Sequence, residues 1–476
     1  MTTALVWFRR DLRLADNPAL AHALAEHEQV IPVYVLTPAE SADWAPGAAS
    51  RVWLHHSLTA LARSLAEKGS CLLIRRGEPV AVLRDLLRQS NAEAVYWNRL
   101  YEPSEIARAG KVKTALEELG ISVRSFNSSL LHEPWTVETK AGQPYRVFTP
   151  YWKQLRQRSL PPCQPEPDVL PSVPELDSDT VEDLGLLPEI DWWQDMMTGW
   201  VVGEDAAHDR LDQFIENAMS GYAEGRDRPD RADTSRLSPH LHFGELSPRQ
   251  VWHATLEQMA LAGGEQGGET FLKELAWRDF AYHLLYHFPE TRDAPLNERF
   301  NDFAWRKDPQ ALQQWQQGNT GLPIVDAGMR ELWQTGWMHN RVRMIVASFL
   351  TKNLRQHWLE GARWFWDTLV DADLANNTQG WQWTAGCGAD AAPFFRIFNP
   401  VSQGQRFDPQ GRYVRRWVPE LAGLPDKYLH APWQAPEATL RDAGVTLGVS
   451  YPQPMVDLKA SRQAALEAWA KIKNSK

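Results

Sequence analysis

Cysteine is nearly missing from this 476-residue chain, which has three copies. Cys71, Cys163 and Cys387 are odd in number, far apart and without a CxxC pair, which excludes a disulfide framework and a cysteine-rich zinc site. No apolar run reaches the length of a membrane span. The N-terminus, Met1 to Asp11, carries charge where a secretion signal needs an apolar stretch. A soluble, cytoplasmic protein is expected, with no membrane partner. Neither a GxGxxG nor a P-loop follows the first apolar run, so the N-terminal part lacks the usual phosphate cradle. Histidine pairs occur as His55-His56 and His240-x-His242, but no acidic or cysteine partner sits at ligand spacing, and no metal is expected. Repeats and low-complexity arrays are also absent.

Basic charge is in overall deficit, at a formal −10, but the deficit is local. Residues 161–220 hold fifteen acids and one base, Arg210, which leaves the rest of the chain net +4. Attraction to phosphate needs a basic face and not a basic average, so DNA stays among the candidate partners.

The chain is too long for one ordinary core and should hold two or three domains. Up to about residue 130, short apolar runs alternate with amphipathic stretches. Leu5–Phe8, Val30–Leu36, Cys71–Ile74, Ala94–Trp97 and Ser122–Phe126 read as strands, and Pro18–Glu26, Arg51–Lys68, Pro79–Gln89 and Ser104–Leu119 as helices between them. That alternation predicts a doubly wound parallel sheet. From Leu160 to Pro188, seven prolines and a dense run of acids predict a linker. Beyond about residue 200 the strand signals stop, and helical periods cover Gly203–Ser220, Pro248–Leu261, Gly268–His287, Pro309–Gln317, Pro323–Thr335, Asn340–His357 and Arg363–Leu369. The fold class is therefore α/β plus all-α: a doubly wound, Rossmann-like domain over 1–130, a linker over 131–200 and a helical domain over 201–476.

Chemistry concentrates in the helical part. Asp371 to Trp383 mixes carboxylates (Asp371, Asp373), carboxamides (Asn376, Asn377) and indoles (Trp381, Trp383), followed by the polar-aromatic stretch Asp390–Pro400. A core helix would sort apolar from polar residues onto separate faces. This mixture suits a pocket for a flat aromatic ligand with polar edges, although a turn rich in Asn and Gly is the plainer reading. Four arginines, Arg226, Arg228, Arg231 and Arg236, precede Ser238-Pro239 in the turn Thr234-Ser235-Arg236-Leu237-Ser238-Pro239, where hydroxyls and open N–H groups at a helix start suit phosphate oxygens. Glu274, Trp277 and Arg278 fall at i, i+3 and i+4 and share a helix face, which taken alone is also how a salt-bridged core helix looks. Trp337, Asn340, Arg341 and Met344 repeat the combination, and Arg343 points elsewhere, towards a carboxylate such as Asp371.

Val6-Trp7-Phe8-Arg9-Arg10-Asp11-Leu12-Arg13 with Asp16-Asn17, Thr234–Ser238, Trp337-Met338-His339-Asn340-Arg341 and Asp371–Trp383 together resemble the photolyase and cryptochrome family over essentially the whole chain. Within it they look most like the bacterial class I cyclobutane pyrimidine dimer photolyases. The resemblance implies a helical domain holding FAD and a damaged pyrimidine pair flipped out of DNA, where light-excited reduced flavin lends the dimer an electron. Carried over by position, Tyr222, Thr234, Ser235, Arg236, Leu237 and Ser238 would hold the phosphates and ribityl chain. Arg278, Asn340, Arg343, Asp371, Asp373 and Asn377 would line the rest, with Asn377 against flavin N5. Glu274 would bond the dimer carbonyls, Trp277 and Trp383 would pack on the thymines, and Met344 would fill the cavity wall. Arg226, Arg341 and Gln403 would grip the DNA backbone, which positions the duplex without reading sequence.

By the same resemblance Trp381, Trp358 and Trp305 would pass electrons to the flavin from the surface. Relatives that repair (6-4) photoproducts carry histidines where this chain has Asn340 and Met344, and neither residue donates a proton as imidazole does, so (6-4) repair is not expected. Ser104-Glu105 stands where folate-binding relatives hold a methenyltetrahydrofolate antenna with an Asn-Glu pair; a deazaflavin, a second flavin or no antenna remain alternatives. A monomer is expected. The rival reading is a cryptochrome-type blue-light receptor, disfavoured here by the lack of a long tail after Tyr451–Pro454. A light-independent flavin oxidoreductase would need a nicotinamide fingerprint, and none is visible.

Overall fold

The computed structural model describes residues 2–37, 44–391 and 395–473. The chain folds as two compact units, residues 1–220 with 235–289 and residues 221–234 with 290–476. This division falls elsewhere than at 130 and 200, because 235–289 packs with the sheet-bearing half. Of the expected Asp390–Pro400 stretch, Ala392, Pro393 and Phe394 lie outside the described residues.

The first unit alternates β1 (Thr3–Phe8), α1 (Pro18–Glu26), β2 (Gln29–Leu36), α2 (Ala48–Glu67), β3 (Leu73–Arg76), α3 (Pro79–Ser90), β4 (Ala94–Asn98), α4 (Pro103–Glu117) and β5 (Ser122–Phe126). All pairings are parallel, in the order β3-β2-β1-β4-β5. Every residue of β1 is buried, as expected where helices cover both faces of a parallel sheet. β3 starts two residues later than its apolar run: Cys71 is exposed, and Arg75 and Arg76 pair with Val35 and Leu36 at the sheet edge. An edge strand has one side open and tolerates charge. The proline-rich stretch is stapled along that edge, with Asp179 N–H donating to Ile74 O at 2.9 Å and Ile74 N–H to Ser178 Oγ at 2.9 Å. Helices α5 (Phe148–Leu155), α6 (Trp192–Met197) and α7 (Glu204–Asn217) follow; then, after α8 (Tyr222–Gly225) of the second unit, come α9 (Ser238–Phe243), α10 (Pro248–Ala262) and α11 (Glu265–His287).

The N-terminal motif proves to be a clamp. The buried Arg13 guanidinium donates to Gly244 O at 2.9 Å, Asp16 O at 2.6 Å and Ser128 O at 3.1 Å, tying together three distant stretches of the unit. Asp16, at φ 47°, takes Ser247 Oγ–H at 2.5 Å and Arg249 at 2.8 Å, while Asn17 caps α1. Gly244 must be glycine, since a Cβ there would lie 2.2 Å from Arg10 O.

The second unit comprises α8, α12 (Pro309–Gln316), α13 (Pro323–Thr335), α14 (Asn340–Ser348), α15 (Trp358–Thr368), α16 (Leu374–Ala385), α17 (Pro400–Phe407), α18 (Arg412–Trp417), α19 (Asp426–Leu429), α20 (Glu437–Asp442) and α21 (Leu458–Lys473). The continuous helix expected over Asn340–His357 is interrupted. It ends at Ser348, widens into a π-turn over Phe349–Asn353, and breaks near Arg355 at φ 53°. His357 then caps α15, its Nδ1 accepting Leu359 N–H at 3.2 Å, so the expected Arg363–Leu369 helix begins at Trp358. Periodicity misses the break because the apolar spacing continues through it. Asp326, fully buried, knots the unit by accepting Thr320 N–H and Oγ–H at 2.7 Å, Gly321 N–H at 3.0 Å and Tyr451 O–H at 2.6 Å. Among the described residues no helix is long and apolar enough to cross a membrane.

Candidate functional site

In the first unit, α11 is buried over most of its surface, yet Glu274, Trp277 and Arg278 stay half-buried along one stripe. One face of Trp277 is covered by Phe148, ring centroids 3.7 Å apart and nearly parallel. Arg278 donates to Ser129 O at 2.6 Å, and the next residue, Asp279, accepts Leu131 N–H at 2.8 Å. Burial pushes the Asp279 carboxyl up to about 7 against the pull of Arg278 and these N–H groups. In the Thr234–Ser238 turn, Arg236 has φ 53°, a strained value for a side-chain-bearing residue, and its guanidinium lies 4.2 Å from the centre of the Trp200 ring. Ser238 is not the N-cap: Leu237 occupies that position, and its N–H donates to Ser235 Oγ at 3.4 Å.

In the second unit, Arg343 reaches Asp371 at 2.8 Å and holds Met338 O at 2.7 Å, as its direction on α14 implied. Asp373 caps α16, accepting Asn376 N–H at 2.9 Å, and Asn377 donates to Ala362 O at 2.9 Å. Arg341 is held by Asp227 at 2.6 Å and lies over Phe407 at 4.5 Å. The expected arginine cluster is partly neutralised: Arg228 pairs with Asp230 at 2.7 Å and Arg231 with Asp233 at 3.9 Å, while Arg226 sits 5.8 Å from the Tyr222 ring centre. Asn340 is exposed, and Met344, Trp383 and Gln403 are half-buried. Trp383 lies under Arg396 at 5.7 Å, beside a small recess lined by Ser348 and Thr384.

Three residues with consequences escaped the sequence. His339 is buried and caps α14 through Nδ1, which accepts Arg341 N–H at 3.2 Å; its own N–H donates to Glu331, which Tyr413 O–H also meets at 2.6 Å. Burial drives the His339 imidazole down to about 4, so the ring is neutral near pH 7. Gly361 leaves room for Trp381, because a Cβ there would lie 2.0 Å from the indole. Lys352 is buried beside the end of α16. Only Gly361 carried a readable signal, being a glycine inside a helical pattern.

Trp381 is wedged against Gly361, Phe365 at 5.0 Å and Trp315 at 6.1 Å. Gly361 lies one turn beyond Trp358 on α15, so Trp381 packs onto the helix that carries Trp358. From there His357 bridges to Trp305, with ring distances of 5.7 and 5.1 Å. Trp381 and Trp358 are buried and Trp305 half-buried, a series running from core to surface. On α4, Ser104 is exposed, and Glu105 is bound by Arg108 and lies 3.9 Å from Arg9.

A family model described as the FAD binding domain of DNA photolyase matches residues 271–471, and one described as DNA photolyase matches 4–171. A deoxyribodipyrimidine photo-lyase of Agrobacterium fabrum is 48% identical over 99% of the chain and 98% of the relative. The chain belongs to the photolyase and cryptochrome family. As a member of it, this flavoprotein combines the parallel-sheet N-terminal part with the helical FAD-binding part. Cryptochrome-1 of Arabidopsis thaliana is 40% identical over 98% of the chain and 70% of the relative. A crystal structure of a bacterial class III photolyase from Agrobacterium tumefaciens superposes with a TM-score of 0.96, at 48% identity, covering 100% of this chain and 98% of the other.

Proposed function

We propose that this chain is a light-driven photolyase that splits cyclobutane pyrimidine dimers in DNA with FAD as cofactor. The observation that carries this reading is that Glu274 and Trp277 share one half-buried stripe of α11, with one face of the indole covered by Phe148. A flipped base needs both a hydrogen-bond acceptor and a stacking face, and this stripe offers a carboxylate and an indole three residues apart on one helix face.

The residues present fit FAD. Arg343, Asp371 and Asn377 offer a cation, an anion and a carboxamide at the edge of an apolar interior, and the turn at Ser238 suits the pyrophosphate. In this reading Tyr222, Thr234, Ser235, Arg236 and Leu237 hold the rest of the diphosphate and ribityl chain. Arg278, Asn340 and Asp373 would contribute further contacts to FAD, and the Asn377 carboxamide would offer the flavin ring a neutral hydrogen-bonding group. When bound, reduced FAD would supply the light-driven electron transfer that opens the dimer. Glu274 bonds the dimer carbonyls, Trp277 and Trp383 cover the thymines, Met344 excludes water, and Arg226, Arg341 and Gln403 hold the backbone phosphates. Trp305, Trp358 and Trp381 would carry electrons from the surface to reduce bound flavin.

The folate antenna does not fit at Ser104-Glu105. The Glu105 carboxylate is already bracketed by Arg108 and Arg9, and the exposed Ser104 hydroxyl replaces a carboxamide, so no step is assigned to an antenna there.

The test is illumination of purified, flavin-reduced protein with DNA containing cyclobutane thymine dimers, against a dark control. Light-dependent loss of dimers is expected. Flavin photochemistry with tight partner binding but no loss of dimers would instead favour the receptor reading, which the Arabidopsis cryptochrome relative keeps in view. Glu274→Ala should weaken dimer binding or splitting with flavin content unchanged, and wild-type behaviour on both counts would remove Glu274 from the lesion pocket.

A further inference from the structure

Lys352 is 1% exposed, on the π-turn that follows α14. Its ammonium donates to Ala385 O at 2.6 Å and lies 3.2 Å from the centre of the Phe395 ring. Among the described residues no carboxylate lies within ion-pair distance of it, and burial holds the lysine well below its usual value, with the Cys387 thiol, itself pushed up to about 12 by burial, as the titratable group that acts on it. Burying a lysine without a carboxylate is costly. Two features offset that cost: a carbonyl at the negative end of a helix, and the face of an aromatic ring. A residue needed only for packing would be met more cheaply by methionine. A π-turn is also an unusual place to spend backbone hydrogen bonds, and such turns gather at functional sites.

What the ammonium holds is specific. Ala385 is the last residue of α16, and Trp383 stands in that final turn. Gly386, at φ 88°, ends the helix, and its α-carbon faces Lys352, since a Cβ there would lie 3.1 Å from Nζ. Trp381, one turn earlier, is wedged independently by Gly361, Phe365 and Trp315. Loosening the end of α16 therefore frees Trp383 before Trp381.

We propose that Lys352 is a positioning residue for the lesion: by pinning Ala385 O beneath the Phe395 ring, it sets the direction in which Trp383 presents its indole. This rests on the repair reading above. It makes the π-turn the connector between α14, which carries Asn340, Arg343 and Met344, and the end of α16, so the two polar-aromatic helices move as one.

The test uses full-length holoprotein carrying Lys352→Met, which keeps the stem and removes the charged donor, and Lys352→Gln, which keeps a neutral donor. Two readouts separate positioning from general stability. Amide hydrogen exchange in the last turn of α16 should rise in Lys352→Met relative to the rest of the helix and recover in Lys352→Gln. Affinity for dimer-containing DNA should fall about tenfold in Lys352→Met, the scale of one ordinary hydrogen bond lost, and recover in part in Lys352→Gln. Flavin content and the rate of flavin photoreduction through Trp381 should stay at wild-type values. Unchanged exchange and unchanged dimer affinity in Lys352→Met would overturn the proposal. So would losses of flavin, photoreduction and affinity in equal proportion, which would mark Lys352 as a general stabiliser. If the wild type itself binds no dimer, the repair reading fails first, and the exchange data still report whether Lys352 holds the helix end.

Discussion

Replacing Gly361 by alanine sets two effects of opposite sign against each other. Gly361 is buried within α15, and alanine in a helix interior is ordinarily more stable than glycine by about 1 kcal/mol. Here the added Cβ would lie 2.0, 2.4 and 2.6 Å from three atoms of the Trp381 ring. Carbon atoms rest at about 3.5–4.0 Å, so the indole or the helix must shift by roughly 1.5 Å. Trp381 has little room to shift, since Phe365 and Trp315 flank it at 5.0 and 6.1 Å. Overpacking of this kind costs about 1–3 kcal/mol, and displacing a large fixed ring belongs at the upper end, so the net effect is destabilising by about 1–2 kcal/mol. For a unit of this size each kcal/mol lowers the melting temperature by about 2–4 °C. Gly380→Ala and Gly110→Ala are the controls: both glycines are exposed on helices, α16 and α4, with nothing within 4 Å of where a Cβ would stand, and both variants should gain stability. Thermal unfolding of the three variants, with flavin photoreduction as a second readout, decides the matter. A Gly361→Ala protein as stable as the two controls, with wild-type photoreduction, would refute the packing of Trp381 against α15 and its place beside Trp358.

The neutral His339 makes stability pH-dependent: its folded value of about 4 lies below its ordinary value, so the unfolded chain takes up the proton first and stability is lost as pH falls from about 6.5 to about 4, by roughly 3 kcal/mol at most. Asp408, raised to about 6 by burial, has the opposite sign and loses stability as pH rises through that value, so the informative measurement is wild type minus His339→Asn, a variant that keeps a cap-competent side chain; equal acid sensitivity in the two proteins would contradict the assignment. Tyr451→Phe removes a donor from the buried Asp326 carboxylate and should cost about 1.5–3 kcal/mol in denaturant unfolding, with no change expected in dimer affinity. Arg13→Lys keeps the charge but cannot span the Gly244, Asp16 and Ser128 carbonyls, and a loss of at least about 2 kcal/mol is expected by thermal unfolding. Trp305→Phe should block flavin photoreduction while chemically reduced protein still repairs; photoreduction at the wild-type rate would take Trp305 out of the route.

Periodicity and residue type were enough for the alternation of strands and helices, the helical second half and the polar-aromatic character of Asp371–Trp383, because these are properties of short windows. Pro18–Glu26 and Pro323–Thr335 are bounded as read, since a proline at the first turn marks the start of each. The Arg343–Asp371 pair was also legible, because a helix fixes which way successive side chains point. The N-terminal motif was legible as a signature, but its physical purpose was not: Arg13 serves carbonyls more than a hundred residues away, and no local pattern encodes them. The same holds for the break after Ser348, where continuing apolar spacing hides a π-turn whose lysine turns towards Ala385. Glu105 was legible as a carboxylate on α4, but its contacts with Arg9 and Arg108 were not, because Arg9 comes from the distant N-terminal motif. Sequence alone determined which segments become helix or strand and which carry aromatic and polar chemistry, because those choices follow from side-chain periodicity and backbone preference. Only tertiary structure decided which charges are already spent on one another, which glycine must stay a glycine and which lysine is buried, because those depend on atoms that close packing brings together from far along the chain.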